Sequence, residues 1–338
     1  MTVQELDNML VAFYELTGKK PKYIFLDEIQ NVKDYGSWFR KRIDAKVYLT
    51  GSTSSLTPKR IAEELRGRSI NFEVFPLSFK EFLSFLNVKV NPKLALYTEE
   101  KGKILSLLRE YLQYGSYPAV VLEKDTNLKK MLLRSYFDSV VVRDLGEKYG
   151  ENFATYIVSN YASPMTYNRV YKYLKSLGYS ISKEKVIEMF KRGEETYFLF
   201  QVEIYDKSET KRKVNPKKVY IIDTGYRIAL GYEFSISKAM ENAVFLQLRR
   251  EGKDVYYWKE RGEQSGAEVD FVVSKDFEAK EIIQVTYSED RVDERKIKAI
   301  RKAEKELKPE KVTLITWNYY GKINGYDAVP LWYWLLSM

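Results

Sequence analysis

Two adjacent carboxylates, Asp27 and Glu28, close an apolar run in the segment KYIFLDEIQNV, residues 22–32. A strand with this ending could place the aspartate where it holds Mg²⁺ and the glutamate where it orients the water that attacks a γ-phosphate. The next apolar run, KVYLTGS, ends in Thr50, Gly51 and Ser52, and its hydroxyl groups could contact the same water or phosphate. An isolated acidic strand end usually only begins a turn, so this hypothesis depends on the hydroxyl residues at the end of the second strand.

The residue types that are missing restrict the chemistry further. The 338 residues include neither cysteine nor histidine, which excludes disulfides, thiolate zinc sites and histidine-based triads. Carboxylates, Lys, Tyr, Ser/Thr or a bound hard cation must supply any catalysis, and oxygen ligands favour Mg²⁺ or Mn²⁺. With 45% hydrophobic and 30% charged residues, the chain is typical of a globular protein with two or three domains.

Nothing in the sequence indicates a membrane partner. The longest apolar stretch, AVPLWYWLLSM at residues 328–338, is too short to span a bilayer, and residues 1–20 lack a signal-peptide pattern. A cytoplasmic location is therefore expected. The net charge of +9 permits a nucleic-acid partner without requiring one.

The hydrophobic periodicity predicts four portions along the chain. Residues 1–76 alternate helix and strand, with helices at 2–16, 32–45 and 57–68, a strand buried on both faces at 23–29 and a second apolar strand at 46–52. Residues 77–150 are predicted to be mostly helical, with a break at Gly115 to Pro118. Residues 151–218 show three short helices and two apolar strands joined by a basic turn, the pattern of a winged helix. Residues 219–338 return to α/β, with helices at 237–252 and 293–307 and strands at 255–260, 267–274, 281–288 and 311–317.

The winged-helix pattern would place cations where they can contact DNA phosphates. The candidates on its third helix and on the basic turn are Lys183, Lys185, Lys191, Arg192, Lys207, Lys211, Arg212, Lys213, Lys217 and Lys218. A solvated basic turn in a winged helix that contacts proteins remains the alternative.

Six segments, in order, resemble a known family. They are YIFLDEIQNV, VYLTGSTSSL, ELRGRSINFEVFPLSFKEFL, YLQYGSYPAVVL, VVVRDLGEKY and NPKKVYIIDTGYRIAL. Together they resemble the archaeal and bacterial AAA-like P-loop ATPases whose C-terminal portion is restriction-endonuclease-like. The resemblance implies a helical lid, a winged helix, and ATP and Mg²⁺ as cofactors. It makes Asp27 the magnesium residue, Glu28 the catalytic glutamate, and Arg66 and Arg68 an arginine motif near the γ-phosphate.

The same resemblance implies a nuclease-like site in the last portion. Glu241, Asp270 and Gln284 match its helix–strand–strand order and could hold Mg²⁺. Active members carry a lysine two residues after the last motif residue, where this chain has Thr286; Glu268, Lys259 or Lys280 could lie nearby. An inactive nuclease fold is the favoured interpretation.

The chain departs from the family at the phosphate site. No G-x-x-x-x-G-K-S/T motif occurs in the sequence, although backbone N–H groups and a lysine in that loop supply much of the affinity for ATP. The family's loop is expected upstream of Met1, and its strand beside residues 46–52. We therefore expect a fragment, a site completed by another polypeptide or by oligomerisation, or a rearranged relic, and no ATP hydrolysis by this chain alone. The competing hypotheses are a non-catalytic DNA- or protein-binding remnant and a Mg²⁺-dependent nuclease.

Overall fold

The computed structural model describes residues 2–41, 43–51, 63, 65, 68–141, 145–146, 148–260, 266–287 and 293–338. Ser52, Arg66 and most of the helix predicted around residues 57–68 lie outside the described residues. The chain is a mixed α/β protein with two compact units, residues 1–73 and residues 74–338. Each unit is described by itself.

The first unit contains two parallel strands and the helices around them. Its elements are α1 (Val3–Thr17), β1 (Tyr23–Leu26), a 3₁₀ turn (Ile29–Asn31), α2 (Tyr35–Arg40) and β2 (Lys46–Leu49). Thr2 and Glu5 form a capping box at the start of α1, and Gly18 ends it with φ +65°. The predicted N-terminal helix and both strands are confirmed, whereas the helix predicted at residues 32–45 is shorter.

The first strand is not buried on both faces as the sequence predicted. Ile24 and Leu26 are buried, but Phe25 is 74% exposed and stacks on Tyr48 at 5.0 Å between ring centroids. Alternate side chains of a strand point to opposite faces, and only one face here packs on the small core around Leu6 and Trp38. In the part of the chain that the structure describes, β2 pairs with β1 alone.

The second unit begins with helices, as predicted for this portion. They are α3 (Phe79–Phe85), α4 (Pro92–Ala95), α5 (Glu100–Tyr114), α6 (Pro118–Leu122) and α7 (Thr126–Val140). The break after α5 falls at Gly115, whose φ of +76° favours glycine. The buried Asp223 carboxylate accepts hydrogen bonds there from the backbone N–H groups of Ser116 (2.7 Å) and Gly225 (2.8 Å). This contact joins the helices to the C-terminal portion.

The next portion combines helices with a three-stranded antiparallel sheet. Its elements are α8 (Gly150–Asn160), β3 (Ser163–Met165), α9 (Tyr167–Ser176), α10 (Lys183–Glu195), β4 (Leu199–Val202), α11 (Glu209–Val214) and β5 (Lys217–Ile221), with the sheet order β3-β5-β4. The three predicted helices and both strands are confirmed. The basic turn is in fact the helix α11, because Ser208 caps it by accepting a hydrogen bond from the Lys211 backbone N–H.

The last portion builds a six-stranded mixed sheet. Its elements are α12 (Gly225–Ala229), α13 (Ile236–Arg250), β6 (Asp254–Lys259), β7 (Glu268–Lys275), β8 (Glu278–Val285), α14 (Glu294–Leu307), β9 (Lys311–Thr316), β10 (Gly321–Ile323), β11 (Tyr326–Pro330) and α15 (Leu331–Ser337). The sheet order is β10-β11-β9-β8-β7-β6, with β8 parallel to β9. Every element predicted here is present, and α12, β10, β11 and α15 were not predicted.

Candidate functional sites

The acidic edge, which we define as Asp27, Glu28 and Thr50, lies where β1 and β2 end. The Thr50 backbone N–H donates to the Leu26 carbonyl at 3.0 Å, so the parallel pairing continues beyond both strands. The Thr50 hydroxyl donates to the Asp27 carboxylate. The pairing therefore brings together two side chains that are 23 residues apart in sequence.

Glu28 follows Asp27 with a φ of +51°, so the backbone turns sharply after the strand. This left-handed conformation is unusual for glutamate and costs about 1 kcal/mol or more. The Gln30 side-chain amide donates to the Glu28 carboxylate. Gln30 was not predicted as a site residue, and its signal in the sequence is an amide side chain two residues after Glu28.

The acidic edge offers oxygen donors of the kind that Mg²⁺ prefers. Asp27 and Thr50 are exposed to solvent and Glu28 is half-buried. Arg68 is also exposed, and its backbone N–H donates to the Leu65 carbonyl. The described geometry does not link Arg68 to the acidic edge, so its role near a phosphate stays a prediction.

A second site surrounds the ammonium of Lys218. Its Nζ lies 3.1 Å from Glu241 Oε1, 2.9 Å from Glu268 Oε1 and 3.0 Å from Asp270 Oδ1. Only 2% of the Lys218 side chain is exposed. We call these four residues the Lys218 cluster. It draws on β5, α13 and β7, so the sheet containing β5 supplies the cation and the C-terminal portion supplies the carboxylates.

Hydrogen bonds hold the carboxylates of the cluster in place. Asp270 Oδ2 accepts from the Gln284 side-chain amide and from the Val285 backbone N–H at 2.9 Å. Glu241 Oε1 accepts from the Tyr220 hydroxyl at 2.8 Å. The structure therefore brings together Glu241, Asp270 and Gln284, the three residues that the sequence placed at one site.

Burial and charge shift the pKa values in the cluster. Burial, together with the neighbouring Asp270 carboxylate, raises the pKa of Glu241 to about 7. Burial alone would lower the pKa of Lys218, but the Asp270 and Glu241 carboxylates raise it well above its ordinary value. The ammonium therefore stays charged through neutral pH, and the Glu241 carboxyl titrates near neutrality.

Lys218 corrects an expectation from the sequence. It was grouped with the basic turn as a cation available to phosphates, but it is fully buried. Lys217 and Lys218 are adjacent in β5, so their side chains point to opposite faces, and Lys217 contacts Glu203 at 3.4 Å. The position of Lys218 inside the apolar run KKVYII was the signal that could have distinguished the two lysines.

Mg²⁺ does not fit the Lys218 cluster as it is arranged. The ammonium contacts one oxygen of each of Glu241, Glu268 and Asp270, and Gln284 presents an N–H group to Asp270. Among the described residues, no group of three or more acidic side chains is arranged to hold a metal ion.

The other residues considered for this site have different surroundings. Thr286 is buried, and its backbone N–H donates to the Ile315 carbonyl. Lys280 pairs with Glu278 and Glu310, each at 2.9 Å. Lys259 lies opposite Glu268 in the β6–β7 register.

Carboxylates accompany most of the cations proposed for DNA. The ion pairs are Lys185–Glu188, Lys191–Glu195, Lys211–Asp206, Arg212–Glu203 and Lys213–Glu209. Arg212 also lies 5.0 Å from the Phe277 ring centre, and Arg192 is half-buried. Lys183 and Lys207 are exposed, and Lys183 lies over the Tyr171 ring. Their role in DNA binding stays a prediction.

In the part of the chain described, no helix is long and apolar enough to cross a membrane.

Three segments of the chain match family models. Residues 2–83 match a family model described as an AAA domain, which defines the first unit as AAA-like. Residues 105–238 and 237–334 match two domains of unknown function, DUF8612 and DUF4143.

Two relatives match nearly the whole chain. The uncharacterized protein MJ1544 of Methanocaldococcus jannaschii is 32% identical over 361 residues, covering 100% of this chain and 79% of the relative. The chain belongs to the family of that protein. An uncharacterized protein of Haemophilus influenzae is 27% identical over 334 residues, covering 93% of this chain and 78% of the relative.

Among solved structures, protein VC1899 from Vibrio cholerae shows a weak likeness. It has a TM-score of 0.23 and 9% identity, covering 86% of this chain and 67% of that chain.

Proposed function

We propose that residues 1–73 supply the magnesium-and-water half of an ATP site. The observation that carries this proposal is the contact between Thr50 and Asp27 at the carboxyl ends of two paired parallel strands. In an open parallel sheet, ligands bind at this edge of the strands. The match of residues 2–83 to an AAA domain supports the same edge.

The residues of the acidic edge have separate roles in this proposal. Asp27 would hold Mg²⁺, which neutralises phosphate charge when bound. Glu28 would orient the attacking water and accept its proton, while the amide of Gln30 keeps the Glu28 carboxylate in one orientation. Thr50 would hold Asp27 and contact the γ-phosphate or the water.

The phosphate contacts must come from outside these 338 residues, because no G-x-x-x-x-G-K-S/T motif lies within them. A polypeptide segment that carries this motif would supply that loop. We therefore propose that the 338 residues alone do not turn over ATP.

Phosphate release measured on two proteins tests both statements. One is the 338-residue chain, and the other is the same chain fused behind a strand–loop–helix unit that carries the phosphate-loop motif. We expect release only from the fusion, with a loss of about 100-fold or more for Glu28→Gln. Glu15→Gln, an exposed acid on α1, is the matched control and should retain activity.

Two results would contradict these proposals. Release by the unfused chain that depends on Glu28 would overturn the need for added phosphate contacts. A fusion that binds ATP and turns it over equally well with Glu28→Gln would overturn the role of Glu28.

The topology of the second unit supports two finer fold proposals. Residues 150–221 run helix–strand–helix–helix–strand–strand with the sheet order β3-β5-β4, which supports a winged helix, with the short helix α11 between its last two strands. Residues 236–316 run helix–three strands–helix–strand, and α14 crosses between the parallel strands β8 and β9. This order supports a restriction-endonuclease-like core without showing nuclease activity.

DNA binding is the second candidate function. The observation that favours it is a set of exposed cations on α9, Arg169, Lys172 and Lys175, next to the exposed Lys183 of α10. Within the described residues, none of the four forms an ion pair with a carboxylate. Unpaired cations can contact phosphates without first breaking an ion pair, unlike most cations of α10 and α11.

Fluorescence anisotropy with a labelled duplex tests this function over a range of salt concentrations. We expect affinity to fall steeply with salt, and a triple Arg169→Ala, Lys172→Ala, Lys175→Ala variant to bind about 10-fold more weakly or worse. A triple alanine variant of Lys298, Arg301 and Lys305, exposed on α14, is the matched control. Equal binding by the two triple variants, or no binding at low salt, would favour a protein-binding role.

A further inference from the structure

In the Lys218 cluster, the number of N–H groups on the ammonium equals the number of carboxylates around it. A lysine ammonium carries three N–H donors, and Lys218 Nζ lies within 3.1 Å of one oxygen from each of Glu241, Glu268 and Asp270. The ammonium donates hydrogen bonds to Glu241 and Asp270 and forms an ion pair with Glu268, so it lies at the point where the three carboxylates converge.

A divalent cation could not share that point. Mg²⁺ binds oxygen at about 2.0–2.1 Å, so it would have to lie between the same carboxylates that the ammonium contacts. A second cation next to a buried ammonium would also add like-charge repulsion in a region of low dielectric constant. The positions of Lys218 and of a metal ion are thus mutually exclusive.

Gln284 adds an independent observation. Its side chain is 1% exposed, and its Nε2 donates to Asp270. Its Oε1 is buried and, in the described part of the chain, has no hydrogen-bond partner. A buried amide oxygen without a donor loses its hydration without compensation, which is unfavourable. The Oε1 atom of Gln284 could bind a cation, whereas the contacts of the Lys218 ammonium within the described residues are to carboxylate oxygens.

We infer that Lys218 occupies the position of a metal ion, so that the cluster is a latent divalent-cation site closed by an internal ammonium. The backbone of Lys218 pairs with Pro164 of β3 and Val202 of β4, in a different sheet from Asp270 and Gln284. Withdrawal of β5, or loss of the lysine charge, would open the site to Mg²⁺ or Mn²⁺. The inference does not depend on the ATP proposal, because its residues all lie in the second unit.

Mn²⁺ binding followed by electron paramagnetic resonance tests the inference directly. All proteins would carry Asp27→Asn, so that the acidic edge does not contribute a second Mn²⁺ site. In that background we compare unchanged Lys218, Lys218→Met and Lys218→Gln. We expect no detectable binding with Lys218 present and one bound Mn²⁺ when the ammonium is absent, an increase in affinity of about 100-fold or more, because the positive charge no longer opposes the metal. Adding Asp270→Asn to either lysine variant should abolish that binding.

Three results would overturn the inference. The first is Mn²⁺ binding with Lys218 intact that disappears with Asp270→Asn, which would show that metal and ammonium coexist. The second is a folded Lys218→Met or Lys218→Gln protein that binds no Mn²⁺. The third result concerns variants that are unfolded in metal-free buffer. Mn²⁺ should then restore the circular dichroism of the folded protein, and failure to restore it would overturn the inference.

Discussion

The acidic edge and the Lys218 cluster both gather carboxylates, but they differ in what balances the negative charge. Asp27 is exposed and accepts a hydrogen bond from a neutral hydroxyl, so a cation from solvent can still reach it. Glu241, Glu268 and Asp270 already surround an ammonium that is almost fully buried. A carboxylate group can therefore indicate an open cation site or a closed one, and the burial of its partner distinguishes the two.

Removing the ammonium should produce the largest effect. Lys218→Met leaves three carboxylates without their cation, and we expect a loss of about 3–5 kcal/mol in the free energy of unfolding of the second unit in metal-free buffer. Urea unfolding followed by circular dichroism and hydrogen exchange measures it. Lys217→Met, which removes the adjacent lysine and its contact with Glu203, should cost about 1 kcal/mol. Equal losses would show that the cluster contributes no more than an ordinary ion pair.

The backbones of the two units can be compared at two glycines with positive φ, Gly18 in the first unit and Gly115 in the second. A Cβ at Gly115 would lie 1.6 Å from Asp223 Oδ1, whereas a Cβ at Gly18 would meet nothing within 4 Å. Gly115→Ala should therefore destabilise the second unit by about 3 kcal/mol or more, and Gly18→Ala the first unit by about 1 kcal/mol. Hydrogen exchange resolved by peptide reports on each unit, and similar losses would contradict the close packing at Asp223.

The second unit should become less stable as pH rises towards neutrality. The pKa of Glu241 is raised from 4.5 to about 7, so the folded protein binds more protons than the unfolded chain between those values. The free energy of unfolding should accordingly decrease from about pH 5 to about pH 7 and level off above that range. Burial raises the pKa of Asp223 to about 6, which acts in the same direction.

Urea midpoints at several pH values measure this dependence. Glu241→Gln should reduce the slope, leaving the contribution of Asp223. An unchanged slope would mean that Glu241 does not titrate in this range.

The smallest effect is expected at the acidic edge. Asp27→Asn removes an exposed charge and keeps an oxygen that can accept from Thr50, so the free energy of unfolding of the first unit should change by less than about 1 kcal/mol. The same substitution should abolish ATP turnover in the phosphate-loop fusion. A large loss of stability would indicate that Asp27 supports the fold rather than a ligand.

Periodicity predicted most helices and strands, because an apolar stripe shows which face of an element is buried. Periodicity failed where contacts with neighbouring residues decide burial or secondary structure. Phe25 was predicted to be buried because its strand is continuously apolar, yet in the described structure only one face of the two-stranded sheet is packed. The segment before Lys217 was predicted as a turn because of its charge, but Ser208 caps a helix there.

The sequence by itself determined which acids can serve each site. The apolar run that ends in two carboxylates identified Asp27 and Glu28, because a strand ending is a local property, and the resemblance to a known family grouped Glu241, Asp270 and Gln284. Only the tertiary structure decided that Lys218 balances the second set. The face to which a strand residue points depends on the sheet register, and the partner at that face depends on packing between elements more than 20 residues apart. One lysine of an adjacent pair consequently contacts Glu203 on one face of β5, while the other is buried among the carboxylates.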